Sequence, residues 1–203
     1  MFRFTNPARF LSKLLSFTES LDREIPAKAL DKNLVLGTWN IRDLNEKGRL
    51  DESYAYISEV VSRYDILAVQ ELKTSLTPID RLKEHLGTHW EYVVSHPCMT
   101  PKGNYERMAF IYDTRRVKFS GVSSYVTNFG KRGEIGLEEF SRSPYMAGFS
   151  VGDFKFFLCN VHLYYDSGRS KSEFRRKEIK YLMEQLEKGS LKSKYGFTVH
   201  FLP

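Results

Sequence analysis

Short apolar runs alternate with stretches of helical spacing along most of the chain. Leu34, Val35, Leu36 and Trp39 make residues 34–39 a candidate buried strand, and it delivers Asn40. A polar loop with Gly48 follows. Leu50, Tyr54, Ile57 and Val61 then recur on one helical face as far as Tyr64. Ile66, Leu67, Ala68 and Val69 form a second strand, which ends on Gln70 and Glu71. A strand, a helix and a strand in that order predict a parallel pair with both polar ends at the same edge. Pro78 opens a further helix that runs through Leu86, with Gly87 as its stop. Runs at 90–96, 107–112 and 117–126 are rich in β-branched and aromatic residues and predict strands.

Two longer strands, 145–151 and 154–162, flank Gly152-Asp153, which predicts a tight hairpin with glycine supplying the positive φ. Phe174, Ile179, Leu182, Met183 and Leu186 then predict a charged helix over 172–187, closed by Lys188-Gly189-Ser190. At the front, Phe10, Leu11, Leu14, Leu15 and Leu21 fit one face of an amphipathic helix. It is read as packing on the domain, with a membrane-surface helix as the alternative. The chain therefore divides into a helix and linker at 1–33, a main domain at 34–190 and an atypical tail at 191–203, in which residues 196–201 are strand-like.

The 203 residues suit one domain with a full core, and the 41% hydrophobic and 28% charged content is that of a globular protein. A net charge of +6 favours a polyanionic partner such as nucleic acid. No run is long enough to span a bilayer, and Lys13, Glu19, Asp22 and Glu24 interrupt the N-terminal apolar stretch too soon for a signal peptide. Cys98 and Cys159 make no disulfide framework, and Cys159 reads as a buried thiol. A reducing compartment, the cytoplasm, is the expectation.

The amide of Asn40 and the carboxylate of Glu71, at neighbouring strand ends, form half of an oxygen site of the kind Mg²⁺ prefers. Ordinary turn polarity is the alternative for each alone. Further motifs follow in order. They are Trp39-Asn40-Ile41-Arg42, Tyr64-Asp65-Ile66 leading to Gln70-Glu71, Tyr92-Val93-Val94-Ser95 and Glu106-Arg107, then Phe140-Ser141-Arg142-Ser143-Pro144 and Asn160-Val161-His162-Leu163. Together they resemble the endonuclease/exonuclease/phosphatase family, and within it the deoxyribonuclease I-like branch.

That resemblance implies an α/β fold of two face-to-face sheets flanked by helices, and a metal-dependent phosphodiester hydrolase, most simply a nuclease. It assigns Asn40 and Glu71 to the metal, which is Mg²⁺ with Mn²⁺ or Ca²⁺ as alternatives. His162 matches the catalytic histidine and Glu106 the acid that orients it. Arg142 matches an arginine facing the phosphate, where a guanidinium fork suits two oxygens. Arg42 and Lys73 match backbone-contacting positions, Lys73 departing from an arginine. Asn160 matches a site that orders the strand end or touches phosphate. Tyr105 has two readings, a stacking platform or an ordinary exposed tyrosine.

The resemblance also implies motifs that do not follow. Gly152-Asp153-Phe154 begins like the family's Gly-Asp-x-Asn, but Lys155 stands at the asparagine and the pair precedes the histidine motif. No Gly-Asp-x-Asn or Ser-Asp-His comes after Glu187, where His200 is followed by Phe201-Leu202-Pro203. The expectation is a truncated chain whose second sheet is largely missing, whose catalysis is impaired, and whose exposed face takes a partner or a second copy. The expected partner is nucleic acid, DNA before RNA. Two alternatives stand beside this: a non-catalytic remnant that binds nucleic acid or protein, and a phosphoesterase for another substrate such as a phosphoinositide.

Overall fold

The computed structural model describes residues 6–30, 32–45, 47–99, 104–126, 140–165, 169–188 and 198–202, with backbone alone at 169–171, 185–188 and 198–202. Helix α1 (Pro7–Glu24) starts where the Asn6 side chain caps the Arg9 N–H at 3.1 Å and Pro7 fills the first turn. The first sheet is built from β1 (Leu36–Leu44), β2 (Ile66–Leu72), β3 (Trp90–Val94) and β4 (Arg107–Asp113), in the order β1-β2-β4-β3. Strands β1 and β2 are parallel, as the strand–helix–strand pattern predicts, and β4 is antiparallel to both β2 and β3. Between them run α2 (Asp51–Ser62) and α3 (Thr77–Leu86), the latter stopped by Gly87 at φ 92°.

Strand β2 is apolar on both sides because it is covered on both sides. Leu67, Val69 and Leu72 face α2 and α3, where Tyr54, Ile57, Val61, Ile79 and Leu82 complete one core cluster. Ile66 and Ala68 face the other way, with Met108 and Phe110, onto a second sheet. That sheet comprises β5 (Lys118–Tyr125), β6 (Tyr145–Val151), β7 (Phe154–Asn160) and β8 (Thr198–Leu202), in that order. Tyr145, Phe149, Phe156 and Leu158 supply its inner face, and Phe149 meets the rings of Phe110 and Tyr112 at 5.6 and 5.5 Å. Helix α4 (Arg169–Lys188) lies on the outer side, where Leu182 packs with Phe140, Met146 and Cys159. The layers are therefore helix, sheet, sheet, helix, as expected.

Several details differ from the sequence reading. The two-sheet sandwich stands, but its second layer holds four strands, where a largely missing sheet was expected. One of them comes from the tail: β8 pairs parallel with β7, from Phe156↔Thr198 to Asn160↔Leu202. Strand β7 ends at Asn160, so His162 lies in the loop beyond it. The Gly152 turn joins β6 to β7 as predicted, at φ 54°. On α1, Phe10 and Phe17 pack edge-on against Tyr56 of α2, but Leu11 and Leu15 point to solvent at 55% and 65% exposure. The packed face is thus set by the aromatic rings, and Leu11 and Leu15 do not belong to it. No helix among the described residues is long and apolar enough to cross a membrane.

Candidate functional site

The C-terminal ends of β1, β2 and β7 and the N-terminal ends of β4 and β6 meet at one rim of the sandwich, a consequence of the pairing directions. Two irregularities re-aim the side chains there. Between the pairs Asn40↔Gln70 and Leu44↔Leu72, β1 carries four steps to the two of β2, so the chain bulges there, with Arg42 and Asp43 exposed and Ile41 kept in the core. Between Val69↔Ala109 and Leu72↔Arg107, β2 carries one step more than β4, at Gln70 and Glu71. Among the described residues five non-glycines have positive φ: Arg42, Asp43, Glu71, Asn104 and Tyr105. All five stand on this rim. L residues adopt that conformation at a cost, and such clusters mark sites where geometry serves a purpose other than stability.

The bulges bring the polar groups together. Asn40 Nδ2 donates to Glu71 Oε1 at 2.7 Å, and the Asp43 N–H donates to Glu71 Oε2 at 3.2 Å. Asn40 Oδ1 accepts the Arg42 N–H at 2.9 Å. The two residues therefore adjoin, with the amide nitrogen on Glu71 and the amide oxygen on the bulge. Asn40 orients the Glu71 carboxylate. The carboxylates that do cluster are Asp43, Glu71 and Glu106, with one oxygen from each within 4.8 Å of the others. Asp43 was not foreseen, because only the bulge brings its exposed carboxylate beside Glu71 and Glu106. This donor set of carboxylate oxygens fits a hard divalent cation. A groove of about 510 Å³ opens over it, lined by Asn40, Arg42, Asp43, Glu71, Asn104 and Glu106.

Glu106 is the hub, buried to 6% exposure. Its Oε1 accepts from Lys73 Nζ at 3.0 Å and Asn104 Nδ2 at 2.9 Å. Its Oε2 takes a fork from Arg142, with Nε and Nη2 both at 2.7 Å. Burial alone pushes this carboxyl up, but the bonds from Lys73 and Asn104 and the Arg142 charge reverse that and hold it below its ordinary value. His162 Nδ1 lies 3.5 Å from Glu106 Oε2, and Nε2 lies 3.7 Å from Glu71 Oε1. The imidazole thus sits between the two acids without a close hydrogen bond to either. The expected role of Glu106 as its orienting acid is corrected to this extent: the cations have already filled the carboxylate. Burial lowers the His162 pKa and the Arg142 charge adds to it, against the pull of Glu106, Glu71 and Glu178.

The remaining predicted residues divide. Lys73 Nζ bridges Asp43 Oδ1 at 2.7 Å and Glu106, and these bonds raise its pKa in spite of burial. It serves as an internal counter-ion rather than facing outward. Arg42 lines the groove, and its carbonyl accepts from Arg49. Tyr105 is exposed, and only its carbonyl is engaged, by the Thr74 hydroxyl at 3.4 Å. Asn160 is fully buried, with Nδ2 on Val69 O at 3.1 Å and Ala109 O at 3.0 Å and Oδ1 on Gln70 Nε2 at 2.7 Å. It orders the strand ends, the first of its two readings, and its full burial takes it away from substrate. Asn104 was missed, having no signal beyond its place two residues before Glu106. His200 and Asp166 lie outside the described side chains.

No model of a known protein family matches the chain. Among curated proteins it is similar to deoxyribonuclease-1 of Equus caballus, 32% identical over 125 residues, which are 58% of this chain and 43% of that protein. The chain thus spans about two fifths of the length of that relative. Among solved structures it is similar to truncated TDP2 of Caenorhabditis elegans (TM-score 0.57, 20% identity, 86% of this chain and 62% of that one). It is also similar to Danio rerio TDP2 complexed with a single-strand DNA product (TM-score 0.56, 15% identity, 84% and 60%).

Proposed function

We propose that this rim is the metal and phosphate half of a phosphodiester hydrolase of nuclease type, on the premise that the chain has the deoxyribonuclease I-like fold of the endonuclease/exonuclease/phosphatase family. One observation carries the reading: Asp43, Glu71, Glu106, Arg142 and His162 converge from five separate segments on one rim, around Glu106 and Glu71. Core packing does not call for such a gathering of charge. DNA is the favoured polymer, since the deoxyribonuclease-1 relative and the TDP2 structure with its single-strand DNA product both lie on that side.

Glu71 and Asp43 would hold a divalent cation, with Asn40 fixing the Glu71 carboxylate, and Mg²⁺ suits their oxygens. Bound there, the cation supplies charge relief to phosphate oxygens. Arg142, anchored on Glu106, offers its remaining N–H groups to the phosphate. His162 presents Nε2 toward the same groove, where it can hold the proton destined for the leaving oxygen. Arg42 contacts the polymer backbone, and Tyr105 offers an exposed ring for stacking. The second layer's edge strand β5, where Val122 is half exposed, is the surface for a partner or a second copy. The two cysteines form no disulfide, which favours the cytoplasm.

The test is binding by the 203-residue chain. A labelled phosphorothioate DNA oligonucleotide should bind in Mg²⁺, more weakly as salt rises, and more tightly than RNA of the same sequence. Arg142→Ala should weaken binding about ten-fold or more, as expected for a lost charge-assisted contact. Binding that ignores salt and survives both Arg142→Ala and Glu71→Gln would overturn the reading.

A further inference from the structure

Among its described side chains, helix α4 buries one charged group, Glu178, at 5% exposure. Its Oε1 accepts from both the Ser141 N–H and the Ser141 hydroxyl, each at 2.8 Å. Its Oε2 accepts from the Tyr164 N–H at 2.9 Å. No lysine or arginine among the described residues pairs with it. Burying a carboxylate without a cation is costly, and three donors from two loops are what offset it here.

The two loops are those that carry the phosphate chemistry. Ser141 immediately precedes Arg142, and Tyr164 lies two residues beyond His162. Arg142 and His162 both converge on Glu106 Oε2, at 2.7 and 3.5 Å, so the two groups flank one point from opposite loops. The loops are far apart in sequence, and Glu178 ties them together with a single side chain. Only a carboxylate does this fully. A glutamine would offer one acceptor, and its amide hydrogens would confront an N–H on the other side.

We propose that Glu178 is a positioning residue: it fixes the spacing between the Arg142 guanidinium and the His162 imidazole, and so makes the seating of α4 a condition for gripping phosphate. This rests on the phosphate-site reading above. Glu178 touches neither substrate nor metal; it acts through the backbone beside the two groups that do, and its charge also reaches His162. The seating is shared with Leu182, one turn on, which packs against Phe140 next to the same loop.

The experiment compares Glu178→Gln and Glu178→Ala with the wild-type chain by nitrogen NMR of the His162 ring and the Arg142 Nε–H, and by phosphorothioate DNA binding. With the far-ultraviolet spectrum unchanged, Glu178→Gln should move both side-chain signals and weaken DNA binding about five-fold, and Glu178→Ala should do more. Signals and affinity equal to wild type in Glu178→Gln would overturn the proposal and leave Glu178 a packing residue. If wild type itself fails to bind DNA, the phosphate reading falls, while the ring and guanidinium signals still decide whether Glu178 sets their placement. Should Glu178→Ala not fold, Ser141→Ala removes one hydroxyl donor and keeps both backbone bonds. It should then move the Arg142 signal and spare that of His162, and no movement of either counts against the proposal.

Discussion

Asn160 of β7 accepts a hydrogen bond from Gln70 of β2 at 2.7 Å, a side-chain link between the two sheets inside the sandwich. The same asparagine satisfies the Val69 and Ala109 carbonyls, at the point where the β2 bulge breaks the ladder between those strands. Gln70 is completed by Thr38 Oγ1 at 3.0 Å. The bulge that aims Glu71 into the groove frees backbone acceptors, and the second sheet supplies the group that takes them up.

Replacing that amide should therefore act on stability first. Asn160→Leu keeps the volume, takes a donor from each of two buried carbonyls and takes one acceptor from the Gln70 amide. At about 1–3 kcal/mol for each unsatisfied buried group, a loss of roughly 2–4 kcal/mol is expected after relaxation. Urea unfolding of the purified variant measures it. A variant with wild-type stability and impaired DNA binding would instead restore the substrate contact that the burial argues against.

The sequence made the layers readable because burial writes itself into spacing. Leu50, Tyr54, Ile57 and Val61 gave α2, and the unbroken apolar run at 66–69 gave a strand covered on both faces. Gly152 and Gly87 marked their turns. The site was legible where a polar residue stands at the end of an apolar run, as Asn40, Glu71 and Glu106 do, and where a motif carried the resemblance, as for Arg142 and His162. Asp43 was not, since only the two extra residues in β1 bring its exposed carboxylate beside Glu71. Asn160 was left with two readings and Glu178 was missed for a related reason. Their roles depend on which backbone groups lie opposite, and that is fixed by packing between sheets and helix, with no periodicity to betray it. Leu11 and Leu15 fitted a helical face by spacing, yet Tyr56 selects the face that carries Phe10 and Phe17.

Lys73 neutralises Asp43 and Glu106 from within the site, so it competes with a divalent cation for the same oxygens. Lys73→Met should tighten Mg²⁺ binding several-fold, about 1 kcal/mol for removing one partly exposed ion-pair partner. Glu71→Gln should weaken it, and Asp43→Asn should do so to a smaller degree. Isothermal calorimetry with Mg²⁺ reads all three. Weaker Mg²⁺ binding in Lys73→Met would mean that the lysine supports the acidic cluster rather than competing for it.

At the opposite rim, Asp113 gives the clearest pH dependence. Burial would raise this carboxyl, but the bidentate bonds from Arg115, at 2.8 and 2.7 Å, and the Lys28 charge bring it down from 3.8 to about 2. A depressed folded pKa contributes stability above the unfolded value, and that contribution disappears as pH falls through the folded value. Stability should thus drop between about pH 4 and pH 2, with roughly 2 kcal/mol traceable to this group. Asp113→Asn should lose about that amount at neutral pH and flatten the acid limb, measured by thermal unfolding across the range. An unchanged acid limb would show that the ion pairs add nothing net.

His162 tests the electrostatics of the site itself. Burial and the Arg142 charge hold its pKa below 6.5, and Glu106, Glu71 and Glu178 pull it up. Arg142→Gln should therefore raise the ring's titration midpoint, and Glu71→Gln should lower it, both followed by proton NMR. The sign matters for chemistry. A phosphate docked on Arg142 brings negative charge beside the ring and offsets the guanidinium, so the midpoint should rise when a phosphorothioate oligonucleotide binds. His162 would then take up a proton as the polymer arrives, which readies it to protonate a leaving oxygen. A midpoint that falls or stays fixed on binding would remove it from that role, whatever its place on the rim.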